Sequence, residues 1–236
     1  MMALFDRLPT PLAIPFFVLS QGEEAWSRLF GVLETALLYA ENLLRLQARL
    51  LEGCERNRSL GARIEVIRKI SAMFDSRGVE PALKFPSSSA ASEILRDLVA
   101  KRNEHAHGRS VSLARALQWK QQQELLSSLL EPLCEPLLCL VARGSSHSCE
   151  ILELRGRGGM FEPRASSWEL PSPDLVEGQL CVIYGREIVF PTTPFFRYRK
   201  GELGDHRVDI LTKATSERFE YYEPISQTSS VMSRGE

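Results

Sequence analysis

Near residue 144 the hydrophobic pattern of this chain changes period, and that change limits the folds open to it. Before it, apolar residues recur every three or four positions, as one face of an α-helix requires. After it, short runs rich in β-branched and aromatic residues are separated by Gly and Pro signals. The small-residue stretch from Gly144 to Ser148 divides the two regimes. A chain of 236 residues laid out this way predicts an α+β protein: an antiparallel bundle of four helices over residues 1–143, a small β-rich module over 149–226, and a disordered tail over 227–236.

The first helix is the clearest. From Glu23 to Leu51, Trp26, Phe30, Leu33, Leu37, Ala40, Leu44 and Leu51 recur at spacings of three, four or seven, leaving Glu34, Glu41, Arg45 and Glu52 for another face. Ser59, a candidate N-cap, introduces a second helix through Ile64, Ile67, Ile70, Met73 and Phe74, which stops near Gly78. A third starts at Ser88 or Ser89, buries Ile94, Leu95, Leu98 and Val99, and ends at Gly108, where glycine relieves a left-handed turn. A fourth is predicted from Leu113 to Val141, kinked at Pro132 and Pro136. Pro9, Pro11 and Pro15 predict an extended N-terminal arm whose apolar residues pack on the helices.

In the second half, strands are expected at Cys149 to Arg155, Gln179 to Tyr184, Glu187 to Phe190, Arg207 to Thr212 and Arg218 to Tyr222. Phe195-Phe196-Arg197-Tyr198-Arg199-Lys200 interleaves rings with cations. That pattern suits a single-strand nucleic-acid binder, but a half-buried strand has the same alternation and is the reading preferred here. Gly156-Arg157-Gly158-Gly159 reads as a turn rather than a nucleotide loop, because no helix follows to aim amides at a phosphate.

Composition narrows the functional classes. With 44% hydrophobic and 25% charged residues the chain is an ordinary globular protein, and a net charge of -1 confines any nucleic-acid site to a local patch. The most apolar run, Phe30 to Leu46, is interrupted by Glu34, Glu41 and Asn42, and the N-terminus lacks a basic leader, so a cytoplasmic protein without a membrane partner is expected. Cys54, Cys134, Cys139, Cys149 and Cys181 form no CxxC pair and read as reduced structural thiols. His147 and His206 have no second ligand at metal spacing; no metal or cofactor is implied.

The chemistry concentrates at the end of the third helix, in Lys101-Arg102-Asn103-Glu104-His105-Ala106-His107-Gly108. From Arg96 to Lys120 six basic residues face two acids, a local +4. Arg102 offers a planar fork for phosphate oxygens, and His107 carries a group that gains or loses a proton near pH 6.5, about its unperturbed pKa. Asn103 can orient that imidazole or hold a phosphate oxygen. On a continuous helix Arg102 and His107 lie about 140° apart. Either the helix ends before His107 or the site is composite across a dimer, and both are expected. His105, three residues from Arg102, lies on nearly the same face and is assigned an auxiliary role.

Arg102-Asn103-x-x-x-His107, ending the third helix of a four-helix domain, resembles the RNxxxH signature of the HEPN superfamily. The resemblance covers roughly residues 1–143. It implies a metal-independent endoribonuclease acting as a homodimer, leaving a 2′,3′-cyclic phosphate and a 5′-hydroxyl, in a prokaryotic defence or toxin system. By that resemblance Arg102 is the phosphate clamp, His107 the general acid/base and Asn103 the orienting residue; the local positive charge, with auxiliary His105, adds Lys101, Arg109 and Arg96 as expected RNA contacts. The alternative is a non-catalytic HEPN dimer platform that binds a protein partner through the β module, or nucleotide or RNA, within a larger complex.

Overall fold

The computed structural model describes residues 2–21, 26–52, 59–83, 89–106, 115–144, 148–156, 158–169, 175–185 and 188–234. Within them helices come first and antiparallel sheets follow, an α+β arrangement. The helices are α1 (Met2–Phe5), α2 (Thr10–Gln21), α3 (Trp26–Ala48), α4 (Leu60–Ser76), α5 (Ser89–Ala106), α6 (Arg115–Leu130) and a single turn, α7 (Gly158–Phe161). The strands are β1 (Leu137–Gly144), β2 (Cys149–Glu153), β3 (Arg164–Trp168), β4 (Leu180–Tyr184), β5 (Ile188–Pro191), β6 (Phe196–Lys200), β7 (His206–Ala214), β8 (Arg218–Glu223) and β9 (Thr228–Ser233). They form a five-stranded sheet in the order β3-β2-β1-β4-β5 and a four-stranded meander, β6-β7-β8-β9.

Helix α3 is the axis of the molecule. From Leu29 to Leu46 nearly every side chain is buried, including the polar Thr35, Glu41, Asn42 and Arg45. A helix buried on all sides needs partners all round, and α3 packs against α2, α4, α5, α6 and β7. Each fully buried Leu on it contributes roughly 1.5–3 kcal/mol. The buried polar groups are used as fasteners. Glu41 accepts from Arg45 Nε at 2.9 Å and from Arg63 Nη1 of α4 at 2.6 Å, locking α4 to α3. Asn42 Nδ2 donates to the carbonyl of Leu211 at 3.0 Å, beside the bulge where β7 shifts register against β8. One turn earlier, the Tyr39 ring lies against Phe196 of β6 with centroids 5.1 Å apart. One hydrophobic core therefore takes in both the helices and the second sheet, from Leu4 to Tyr221.

Three sequence expectations are corrected. The N-terminal arm is helical, not extended. Leu8, Leu12, Phe16 and Leu19 are buried along one side, and Pro11 falls in the first turn of α2, where the amide proton it lacks has no helical acceptor. The fourth helix stops at Leu130 instead of bending on to Val141: a 3-10 turn, Glu131–Cys134, holds Pro132, and β1 starts directly after Pro136. The run from Leu137 to Val141 is buried on both faces at the centre of the first sheet, so β1 begins within the segment expected to be helical. Finally, the tail expected to be disordered contains β9, which pairs with β8 from Arg218↔Ser233 to Glu223↔Thr228.

Candidate functional site

The site begins on α3. Gly31, Glu34, Thr35 and Leu38 stand at i, i+3, i+4 and i+7, one stripe of the helix, and together they line an open cleft of about 450 Å³. Its second wall is α5, through Val99, Arg102 and Asn103, at the same helical spacing. Leu95 and Leu98 of α5 are buried and Val99 is partly buried, so the next turn carries Arg102 and Asn103 out of the core and over the cleft. The start of α4 supplies the third side, through Ser59, Leu60, Gly61 and Arg63. Ser59 is the N-cap expected, its Oγ accepting from the amide of Ala62 at 3.2 Å. Thr212 of β7 and Tyr222 of β8 close the end, so the helices and the second sheet share the cleft.

Inside it, Arg102 meets Glu34. Nε and Nη2 of the guanidinium donate to Oε1 of Glu34 at 3.1 and 3.0 Å. Both side chains stay about two-fifths exposed (39% and 45%), which makes this a solvated pair worth roughly 0–1 kcal/mol rather than a core fastener. Arg63, by contrast, is committed to buried Glu41. Burial pushes the Tyr222 phenol up, with a bond to Thr35 opposing it, so this hydroxyl stays protonated as a donor at neutral pH.

Of the residues singled out in the sequence, Arg102 and Asn103 meet in the cleft. Lys101 does not line it; its Nζ holds Asp97 one turn back at 3.0 Å. Arg96 lines a neighbouring groove. His105 lies in the last turn of α5, while His107, Gly108 and Arg109 fall outside the described residues. Glu34, Ser59, Arg63, Thr212 and Tyr222 join the site only through the fold. For Glu34 the one available signal was its place between Gly31 and Thr35, two small residues interrupting an otherwise bulky stripe.

The cations of β6 serve the sheet. Phe195 and Phe196 are buried, and Arg197 and Arg199 both donate to fully buried Asp209. Tyr198 is hydrogen-bonded to His206 Nδ1 at 2.9 Å. Phe195 and Phe196 are therefore unavailable for stacking on bases, and the alternation is that of a half-buried strand. Cys134, Cys139, Cys149 and Cys181 are free and buried, and Cys54 lies outside the described residues. Among the described residues no group of three or more His, Cys, Asp or Glu side chains is placed to hold a metal ion, and no helix is long and apolar enough to cross a membrane. No protein-family model, curated protein or solved structure matches this chain.

Proposed function

We propose that the chain is a HEPN-type, metal-independent endoribonuclease that works as a homodimer, in a prokaryotic defence or toxin setting. Helices α3, α4, α5 and α6 are read as the four-helix core of that family, with α5 as the motif helix. The observation that carries the reading is the direction taken by Arg102 and Asn103: both leave α5 for an open cleft, and the partner of Arg102 there is a half-exposed acid. An arginine kept for stability alone gains little from such a pair. An arginine kept for phosphate gains a solvent-accessible fork.

In this reading Arg102 holds the scissile phosphate and stabilises the charge that grows on it, Asn103 orients the imidazole or a phosphate oxygen, and His107 moves the proton. The 2′-hydroxyl attacks the adjacent phosphorus, the P–O5′ bond breaks, and the proton lost by the 2′-oxygen is balanced by one delivered to the departing 5′-oxygen. The test is incubation of purified protein with single-stranded RNA and tRNA in EDTA. Products ending in 2′,3′-cyclic phosphate, lost in Arg102→Ala and His107→Ala, support it; intact RNA under every condition overturns it.

One observation favours a second reading, a non-catalytic dimer platform: Glu34 already occupies two donors of Arg102. There, both alanine variants alter assembly or stability and leave every RNA profile unchanged.

A further inference from the structure

Two glycines on the cleft wall are not accounted for by close packing among the described residues. Gly31 lies within α3 and Gly61 in the first turn of α4, and neither has the positive φ that favours glycine. A Cβ built on either would meet no atom of the described residues within 4 Å. Gly159 and Gly201 are different, because a Cβ there would come within 2.5 Å of Thr10 Oγ1 or 2.0 Å of Asp205 Oδ1, so close packing accounts for them. Glycine inside a helix is unfavourable relative to alanine, and at Gly31 that cost is borne with no internal contact to show for it. What the two positions share is bare backbone facing the same open cleft.

The cleft does not stop there. Gly61 and Val99 also line a second groove, of about 460 Å³, that runs between α4 and α5 away from Arg102. Each space lies within the range, about 300–1,000 Å³, of pockets that hold a small ligand. The second groove has Ile64, Leu95 and Val99 as apolar lining, with Arg68 on the α4 side and Arg96 on the α5 side. Neither arginine forms an ion pair with a described residue. Glu93 is the one acid among the lining residues of this groove, against two arginines. Arg96 and Arg102 are six residues apart, about 9 Å along the axis of α5 and about 120° apart around it, on either side of Val99, which lines both spaces.

We infer that cleft and groove form one trough for a single strand of RNA, in which Arg102 takes one phosphate, Arg68 and Arg96 grip a neighbouring one from opposite sides, and the strand passes over the bare backbone of Gly31 and Gly61. The chemistry is that of single-strand binding: cations track the backbone while apolar surface accepts the faces of the bases. The half-buried ring of Tyr222 stands on the cleft wall, where a base can pack against it. This inference rests on the RNA reading above and extends it, since it assigns binding to a groove outside the motif.

The experiment measures binding without cleavage, using a fluorescent 2′-O-methyl oligoribonucleotide that has no 2′-hydroxyl nucleophile, titrated into full-length protein across a salt series. The Arg68→Ala/Arg96→Ala double variant is expected to bind at least tenfold more weakly, with a log–log salt slope smaller by about 0.7, the value for one phosphate contact. Arg164→Ala, an exposed arginine on β3, serves as the control and is expected to leave affinity unchanged. Gly31→Ala is expected to raise the melting temperature by about 2–4 °C while weakening the oligonucleotide several-fold. A merely structural glycine would not separate those two readouts in that direction.

If wild-type protein binds RNA and both the double variant and Gly31→Ala bind equally well, the trough is overturned while the RNA reading stands. That result leaves the α4–α5 groove to a protein segment. If wild-type protein binds no RNA even at low salt, both readings fall together.

Discussion

The guanidinium of Arg102 on α5 places two of its nitrogens on a single oxygen of Glu34, on α3, 68 residues earlier in the chain. The pair joins two walls of the cleft and is half-solvated. Its physical role is therefore to hold the fork in place rather than to hold the helices together. Glu34→Gln is expected to change unfolding free energy by less than about 1 kcal/mol and to tighten RNA binding by removing a competing carboxylate. A denaturant titration and an oligonucleotide titration on the same sample check both halves. Large destabilisation instead identifies Arg102 as a structural residue.

Glu41 gives the opposite outcome. It is 3% exposed and ion-paired to Arg45 and Arg63. Removing one partner of a buried charge cluster leaves the rest uncompensated, so Glu41→Ala is expected to lose about 3–5 kcal/mol of stability. The midpoint of urea unfolding, compared with that of Glu34→Gln, measures the contrast between the two acids of α3.

Asp209 governs the second sheet. Fully buried, it receives hydrogen bonds from Arg197 and Arg199 of β6, and Arg197 also stacks over Tyr221 with its carbon 4.6 Å from the ring centroid. Asp209→Ala removes the shared acceptor of Arg197 and Arg199, whose side chains are 22% and 41% exposed, and is expected to cost about 1.5–3 kcal/mol, whereas exposed Lys200→Ala should shift stability by less than about 0.5 kcal/mol. Thermal melts of the pair decide whether the cations of β6 serve the fold.

The thiols are expected to be silent. Burial pushes Cys134 up to about 11 and Cys181 up to about 12, and it raises Cys139 and Cys149 as well. Each shift favours the protonated thiol, and the thiolate is the reactive species. In a Cys54→Ser background, iodoacetamide should leave native protein unmodified and should label the four buried cysteines once guanidinium is added. Mass spectrometry counts the adducts.

The sequence spoke most clearly where one physical pattern acted alone. The stripe of α3, the N-cap at Ser59 and strands such as β4 and β8 follow from periodicity and capping, and the structure places them within a few residues of expectation. It was ambiguous where two patterns overlapped. Leu137 to Val141 is an apolar run that fits a buried helix and a central strand equally well, and only the turn after Pro132 settles which forms. Pro9, Pro11 and Pro15 obscured the spacing of Leu8, Leu12, Phe16 and Leu19; the first two fall at the helix start, where proline is tolerated, and Pro15 lies inside α2. Of the site, Arg102 and Asn103 were legible as chemistry. Glu34 and Tyr222 were not, because their part in the cleft depends on bringing together segments far apart in the chain.

The bond from Asn42 to Leu211 spans 169 residues, and the cleft itself is closed by Thr212 and Tyr222, close to the C-terminal end of the chain. During synthesis, which runs at about 5–20 residues per second, α3 leaves the ribosome well before β7 exists. A nascent chain can form the helices yet lacks the wall that completes the cleft until β7 and β8 emerge. Assembly of the site therefore waits for β7 and β8, and the helices alone cannot engage whatever the cleft accepts.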